Sequence, residues 1–251
     1  MPYRYAIEKT DYSDFASGCV FYGAPGHPAF PIRLASEIYQ ACLALRVKGG
    51  LTSRCVLYDP VCGGAYHLSV LAYLHWETIH SVIGSDVDKE IIATAERNIG
   101  LLTLEGVETR IQKIEGLFHA YGKQSHKSAL ASALRLRDQL LTHTRYHTIN
   151  QAVFCADALD ATALQNHLGD VTADIVFADI PYGMHSRWQI ADTSIQYPIT
   201  HMLSSLLPVL AEGGIVAVAA DKSAQVTHPL YMRVERFQSG KRQVILLKPG
   251  Q

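Results

Sequence analysis

No stretch of this sequence approaches the roughly 18 consecutive apolar residues that a membrane helix needs, and its opening, MPYRYAIEKTDYSDF, has no apolar signal-peptide core. A cytoplasmic protein with no membrane partner is the expectation. Cysteine is scarce and unpaired: Cys19, Cys42, Cys55, Cys62 and Cys155 form an odd set without CxxC spacing, which argues against a disulfide framework and a thiolate zinc cage. Histidine is commoner, and His143 and His147 stand four apart. No glutamate lies between them and no third ligand is close, so no metal is expected. The GxGxxG fingerprint is missing too, which removes the footing for a nicotinamide dehydrogenase. No internal repeat or low-complexity segment is visible.

What is present is an ordinary globular composition, 251 residues of which 48% are hydrophobic and 18% charged, enough to bury a full core in one α/β domain with additions. The net charge of −1 hides an uneven distribution. Between Arg110 and Arg145 seven Lys/Arg face two acids, and between Lys222 and Lys248 six face one. Each segment is therefore +5, and the rest of the chain is −11. Two basic segments on an acidic body make a phosphate-tracking surface if they converge in space, and two solvated faces if they do not.

From about Arg54 onward, short apolar or β-branched runs alternate with helical patterns, as in a mostly parallel sheet. The runs are CVLY, SVIGS, AVFC, DIVFA and IVAVA. YHLSVLAYLHW, apolar nearly all round, reads as a buried helix. DKEIIATAERNIGLL reads as a helix capped by Asp88 with Ile91, Ile92, Ala95 and Ile99 on its buried stripe. A helical insertion over 110–148 is expected between the second and third strands, with Leu130, Ala133, Leu134 and Leu141 of KSALASALRLRDQLL turned inward. YMRVERFQSGKRQVILLK reads as two strands joined at Gly240. Residues 1–50 form an N-terminal extension, a Pro/Gly-rich loop leading into an amphipathic helix. An antiparallel hairpin closing a parallel sheet marks the methyltransferase version of this Rossmann-like architecture.

Four motifs carry chemistry. CVLY runs into Asp59-Pro60-Val61-Cys62-Gly63-Gly64-Ala65, a turn whose backbone can approach a ligand closely and whose acid can hold a cationic amine. That suits S-adenosylmethionine, which has an ammonium and a positive sulfur. Asp86, ending the second strand in VIGSDVD, can accept both hydroxyls of a ribose. Asp157, after the third strand, can reach an adenine amino group or cap a helix. Asp179-Ile180-Pro181-Tyr182, ending the fourth strand, is a variant of the [D/N]-P-P-Y signature of methyltransferases acting on nitrogen. Its aspartate and the carbonyl of Ile180 can accept from a planar nitrogen, the proline holds Ile180 extended, and Tyr182 offers a stacking face.

On these residues the chain resembles the avilamycin-resistance type of rRNA methyltransferase (AviRa), a class I S-adenosylmethionine-dependent family that methylates a guanine base of large-subunit rRNA. The resemblance runs through GAPGHPAFPIRLASEI, DPVCGGAYHL, SDVD, the insertion, DIPYG and GKR. It implies Asp59, Cys62, Gly63, Gly64 and Ala65 along the cofactor's methionine end, Asp86 at its ribose and Asp157 near its adenine. It also implies Asp179, Pro181 and Tyr182 around the reacting nitrogen, with Asp179 at the cofactor boundary. Arg33 would pack beside the cofactor pocket, contact phosphate or form a surface ion pair. His185, Arg187 and Trp188 would border the base entrance. Lys123, Lys127 and Arg135 of the insertion and Lys241 and Arg242 of the hairpin would contact RNA, together with Arg187 and Trp188. A monomer acting on large-subunit rRNA or the ribosomal subunit, without a metal, is the expected form. Gly64 stands where the family has serine and Ala65 where it has glycine. If residue 65 needs a positive φ, alanine there costs on the order of 1 kcal/mol and weakens the cofactor's hold.

Two other readings share these residues. A nitrogen methyltransferase acting on DNA adenine or protein glutamine would use the same Asp-x-Pro-Tyr geometry, although the basic insertion favours RNA over protein. A non-catalytic RNA-binding relative fits Ala65 but not an intact Asp59, Asp86 and Asp179. Orthosomycin resistance and housekeeping rRNA modification are equally compatible with the sequence.

Overall fold

The computed structural model describes residues 3–23, 28–180 and 197–250. Its centre is a seven-stranded sheet made of β1 (Cys55–Asp59), β2 (Ile79–Asp86), β3 (Asn150–Cys155), β4 (Ala173–Asp179), β5 (Leu210–Asp221), β6 (Tyr231–Ser239) and β7 (Arg242–Pro249). The strand order is β3-β2-β1-β4-β5-β7-β6. The first five strands are parallel, and β7 inserts antiparallel between β5 and β6. The expected runs all lie on these strands, and Gly240 (φ +59°) makes the β6–β7 turn.

Alternation along the strands sends side chains to two separate cores. Leu57, Ile175, Phe177, Ala217 and Leu246 face one layer, built from α1 (Ile32–Lys48), α2 (Tyr66–Leu74), α3 (Lys89–Gly100), α4 (Leu104–Tyr121) and α5 (Gln124–Thr144). Tyr58, Val176, Ala178, Val216 and Leu247 face the other, built from α6 (Ala161–Leu168) and α7 (Pro198–Leu206). Asp88 caps α3 by accepting from Glu90 N–H at 2.8 Å, and Ile91, Ile92, Ala95 and Ile99 are buried. Buried Arg46 of α1 reaches Asp174 at 2.7 Å, whose other oxygen accepts from Val56 N–H at 2.8 Å, tying α1 to β4 and β1. No helix among the described residues is long and apolar enough to cross a membrane.

The insertion differs from its expected form in extent and in facing. It is a pair of helices, α4 and α5, which starts at Leu104 behind a Thr103 cap and turns at Gly122 (φ +60°). The buried stripe of α5 is Ala129, Ser132, Ala133, Leu136 and Leu140. Leu141 is 41% exposed, because the stripe advances by three or four residues from Leu136 to Leu140 and carries residue 141 past the interface. His143 and His147, far from forming a ligand pair, pack their rings on Trp76 at 5.1 and 6.0 Å.

The N-terminal extension is held by side chains of the helices. Buried Glu37 accepts from the backbone N–H of Arg4, Tyr5 and Ala6, and Asp14 takes a bidentate hydrogen bond from Arg135.

Candidate active site

Because β1 to β5 are parallel, their carboxyl ends share one edge of the sheet, where ligands of open α/β folds bind. In the order of adjacent strands this edge carries Asp157 beyond β3, Asp86 at the end of β2, Asp59 at the end of β1 and Asp179 at the end of β4. The sheet thus brings together all four carboxylates singled out by the sequence.

The glycine turn is fixed from two sides. Cys62 N–H donates to Ser85 O at 2.8 Å, and Gly63 N–H donates to Asp86 Oδ2 at 2.8 Å. Asp86 Oδ1 accepts from Asp88 N–H at 3.0 Å. Asp86 therefore couples the turn to β2. The Cys62 thiol, pushed well up by burial, packs against Gly84, where a Cβ would come within 2.9 Å of the sulfur. Cys62 lines the turn through its backbone while its side chain fills the core.

Asn98, which sequence patterning does not flag, holds the other side. Its fully buried amide donates to Gly64 O at 2.8 Å and Tyr22 O at 2.9 Å and accepts from Tyr22 N–H at 2.7 Å. Arg97 and Arg110 lie over the Tyr22 ring at 4.7 and 4.2 Å. Arg110, counted by sequence in the basic insertion, is buried and donates to the carbonyls of Val20 and Cys19.

Ala65 has φ +51° and ψ 26°, a left-handed conformation that costs an L-residue about 1–2 kcal/mol. Its methyl is fully buried in the core of the α1–α5 layer, so it does not stand in the way of a ligand. Ala65→Gly trades relief of that strain against a lost buried methyl worth about 0.8 kcal/mol. We expect thermal melting to place the variant within about 1 kcal/mol of the parent and cofactor affinity within about threefold.

Asp59 is completely buried: Oδ1 accepts from Val61 N–H at 2.9 Å, and Oδ2 lies 3.1 Å from His67 Nε2. That approach is an ion-pair distance without hydrogen-bond geometry, since neither atom finds a hydrogen-bond partner. Asp179 Oδ1 is likewise buried without a hydrogen bond, 3.9 Å from Arg242 Nε. Burial pushes the Asp179 carboxyl up to about 6, with His67 and Arg242 pulling against the rise and Asp59 adding to it. Phe30 packs on both of these side chains, at 5.8 Å from the His67 ring and 5.1 Å from the Arg242 guanidinium.

Arg242 is assigned by the sequence to the RNA contacts of the hairpin. It lies inside this cluster because antiparallel pairing of Arg242 with Asp221 returns the first residue of β7 to the carboxyl edge. Lys241 stays exposed beside it, as do Lys123 and Lys127 at the α4–α5 turn. Arg33 donates to the carbonyls of Ala6 and Ile7 and covers the Tyr3 ring, so its guanidinium secures the N-terminal extension. Asp157 Oδ1 accepts from Leu159 N–H at 2.9 Å, closing the turn after β3. Pro181, Tyr182, His185, Arg187 and Trp188 lie outside the described residues. Among the described residues, no group of three or more His, Cys, Asp or Glu side chains is arranged to hold a metal ion.

The strand order, the antiparallel final hairpin and the row of carboxylates define a class I methyltransferase. A solved rRNA methyltransferase AviRa from Streptomyces viridochromogenes superimposes with a TM-score of 0.86 at 35% identity, covering 98% of this chain and 96% of that one. A second structure of the same protein gives 0.87 at 34% identity with the same coverage. The chain belongs to the rRNA methyltransferase AviRa family, whose model matches residues 1–242. It is also 36% identical over 246 residues, 98% of this chain and 95% of the relative, to the 23S rRNA (guanine(2535)-N(1))-methyltransferase of Streptomyces viridochromogenes.

Proposed function

We propose that this enzyme transfers a methyl group from S-adenosylmethionine to a ring nitrogen of a guanine in large-subunit rRNA. The observation that carries this reading is Asp179, a half-buried carboxylate at the end of β4 whose buried Oδ1 makes no hydrogen bond, poised near pH 6 on the strand next to the Asp59 carboxylate of β1. The relative named above, with a chemistry specified at guanine N1, supports the same reading.

The chain's own groups fit this cofactor. Asp59 Oδ2, buried and without a hydrogen-bond donor, matches an ammonium group, and Asp86 and Asp157 match a ribose diol and an adenine amino group. When bound, S-adenosylmethionine supplies an electrophilic methyl on a positive sulfur. A guanine N1–H carries its proton into the site, so nitrogen–carbon bond formation needs an acceptor for that proton. Asp179 takes it, and its raised affinity for protons makes it a better base than an ordinary aspartate. Pro181 and Tyr182 would frame the base from the following segment. The base must leave its stack to arrive there.

The RNA-facing surface in this proposal is the α4–α5 turn together with Lys241. From Gly116 to Arg137 the chain has no acidic residue. Tyr121 is 65% exposed, with Lys123 Nζ 5.8 Å above its ring. Arg135 is more an anchor for Asp14 than a phosphate ligand. Lys123→Glu with Lys127→Glu should weaken rRNA binding and flatten the slope of log K against log salt by about two, as expected for two lost phosphate contacts. Filter binding across a salt series would show it, and an unchanged slope would remove this surface from the interface.

Incubating 23S rRNA, large subunits, DNA and total protein with labelled cofactor, followed by mass-spectrometric mapping, tests the function itself. Ring-methylated guanine in rRNA is expected, and label confined to DNA or protein would overturn the reading. We take the enzyme to act as a cytoplasmic monomer whose product confers resistance to orthosomycins. Expression in a sensitive host should then raise the inhibitory concentration of avilamycin, and an unchanged value would favour housekeeping modification.

A further inference from the structure

We propose that His67 is a positioning residue for this reaction: a buried imidazole held against the cofactor-turn carboxylate Asp59 and against Phe177 of the strand that ends in the proton-accepting Asp179, joining the two ends of the site in one charge network. The inference rests on the reading of Asp179 given above. His67 occupies the first turn of α2, directly after the glycine turn, and its side chain is 8% exposed. Its Nε2 stands 3.1 Å from Asp59 Oδ2 and makes no hydrogen bond. Its ring lies 4.8 Å from Phe177, two residues before Asp179, and 5.8 Å from Phe30, which also carries Arg242.

A buried polar ring nitrogen without a hydrogen bond is poorly explained by packing alone. An electrostatic role accounts for it. Among the described residues, the charged and titratable groups acting on Asp179 come from three elements: Asp59 of β1, His67 of α2 and Arg242 of β7. His67 and Arg242 favour the ionised carboxylate, and Asp59 opposes it. His67 thus offsets, at Asp179, the field of the acid that the cofactor's amine requires. Without such a partner Asp59, one strand away, would oppose ionisation of the base more strongly, since like charges at close range suppress each other's ionisation.

The test is kcat at saturating cofactor from pH 5 to 8.5 for the parent, Asp179→Asn, His67→Gln and Asp59→Asn, with thermal melting of each. The parent should show an acid limb near pH 6. In His67→Gln the limb should move up by about one unit, so that activity at pH 5.5 drops roughly tenfold further than at pH 8. In Asp59→Asn it should move down. A His67→Gln variant that loses activity evenly at every pH, with the limb unmoved, would reduce His67 to a packing residue. Should His67→Gln melt below the assay temperature, an unmoved limb in Asp59→Asn overturns the proposal by itself. Turnover retained by Asp179→Asn, or no acid limb in the parent, would instead refute Asp179 as the proton acceptor, so the two failures are distinguishable.

Discussion

Replacing Asp179 with asparagine should abolish methyl transfer and at the same time make the protein more stable at neutral pH. The first effect follows from the proposed loss of the proton acceptor, with turnover reduced by about 10²–10⁴. The second follows from burial. The folded state holds the Asp179 proton up to about pH 6, whereas the unfolded chain releases it near 3.8. A carboxyl whose folded value is raised carries no penalty below the unfolded value; the penalty grows between the two values and is complete above the folded one. By linkage, ionised Asp179 lowers stability on the order of 2–3 kcal/mol above pH 6. Asparagine removes that penalty. Denaturant melts should show the variant more stable at pH 7.5 and equal to the parent at pH 4. A variant destabilised at both pH values, or one that turns over normally, would contradict the assignment.

Asn98→Leu should be the most damaging single change outside the carboxylate row. The substitution keeps the branched shape, in a somewhat larger side chain, and leaves Tyr22 N–H, Tyr22 O and Gly64 O without their partner. Each stranded buried group costs about 1–3 kcal/mol, less where water reaches it. A total near 3 kcal/mol would lower the Tm of a domain this size by about 6–12 °C. Cofactor affinity should fall as well, because the glycine turn loses one of its two supports while Asp86 retains the other. Hydrogen exchange should show residues 19–23 opening before the sheet does. A melting temperature within about 2 °C of the parent, with the turn unaffected, would mean that Tyr22 and Gly64 find other partners.

The architecture was largely legible in the sequence because its signals are local. Period-two alternation marks Leu57 and Tyr58, or Phe177 and Ala178, as facing opposite layers, and each acid at a strand end is readable from its position alone. What could not be read depends on contacts across many residues. His67 sits in a stretch that is apolar nearly all round and passes for core. Asn98 lies in the last turn of α3, and nothing near it in sequence points to Tyr22, 76 positions away. Arg242 reads as a basic hairpin residue, and only the insertion of β7 beside β5 turns it toward Asp179. The first helix of the insertion was within reach: Val107, Ile111 and Ile114 fall at helical spacing behind Thr103. The positive φ at Ala65 was signalled only by the glycine that the family carries there, since alanine itself has no local signal for it.

The α4–α5 pair has a further implication for how such an enzyme can change its target. Val107, Ile111, Ile114, Ala129, Ala133, Leu136 and Leu140 all belong to the core shared with β1, β2 and α1. The hairpin is thus a structural wall of the catalytic layer whose far end happens to be free. Swapping or deleting it wholesale would open that core to water, so diversification of recognition would be confined to the exposed side chains of the turn around Tyr121 to Lys127, leaving Gly122 (φ +60°) and His126, bonded to Leu117 O, in place.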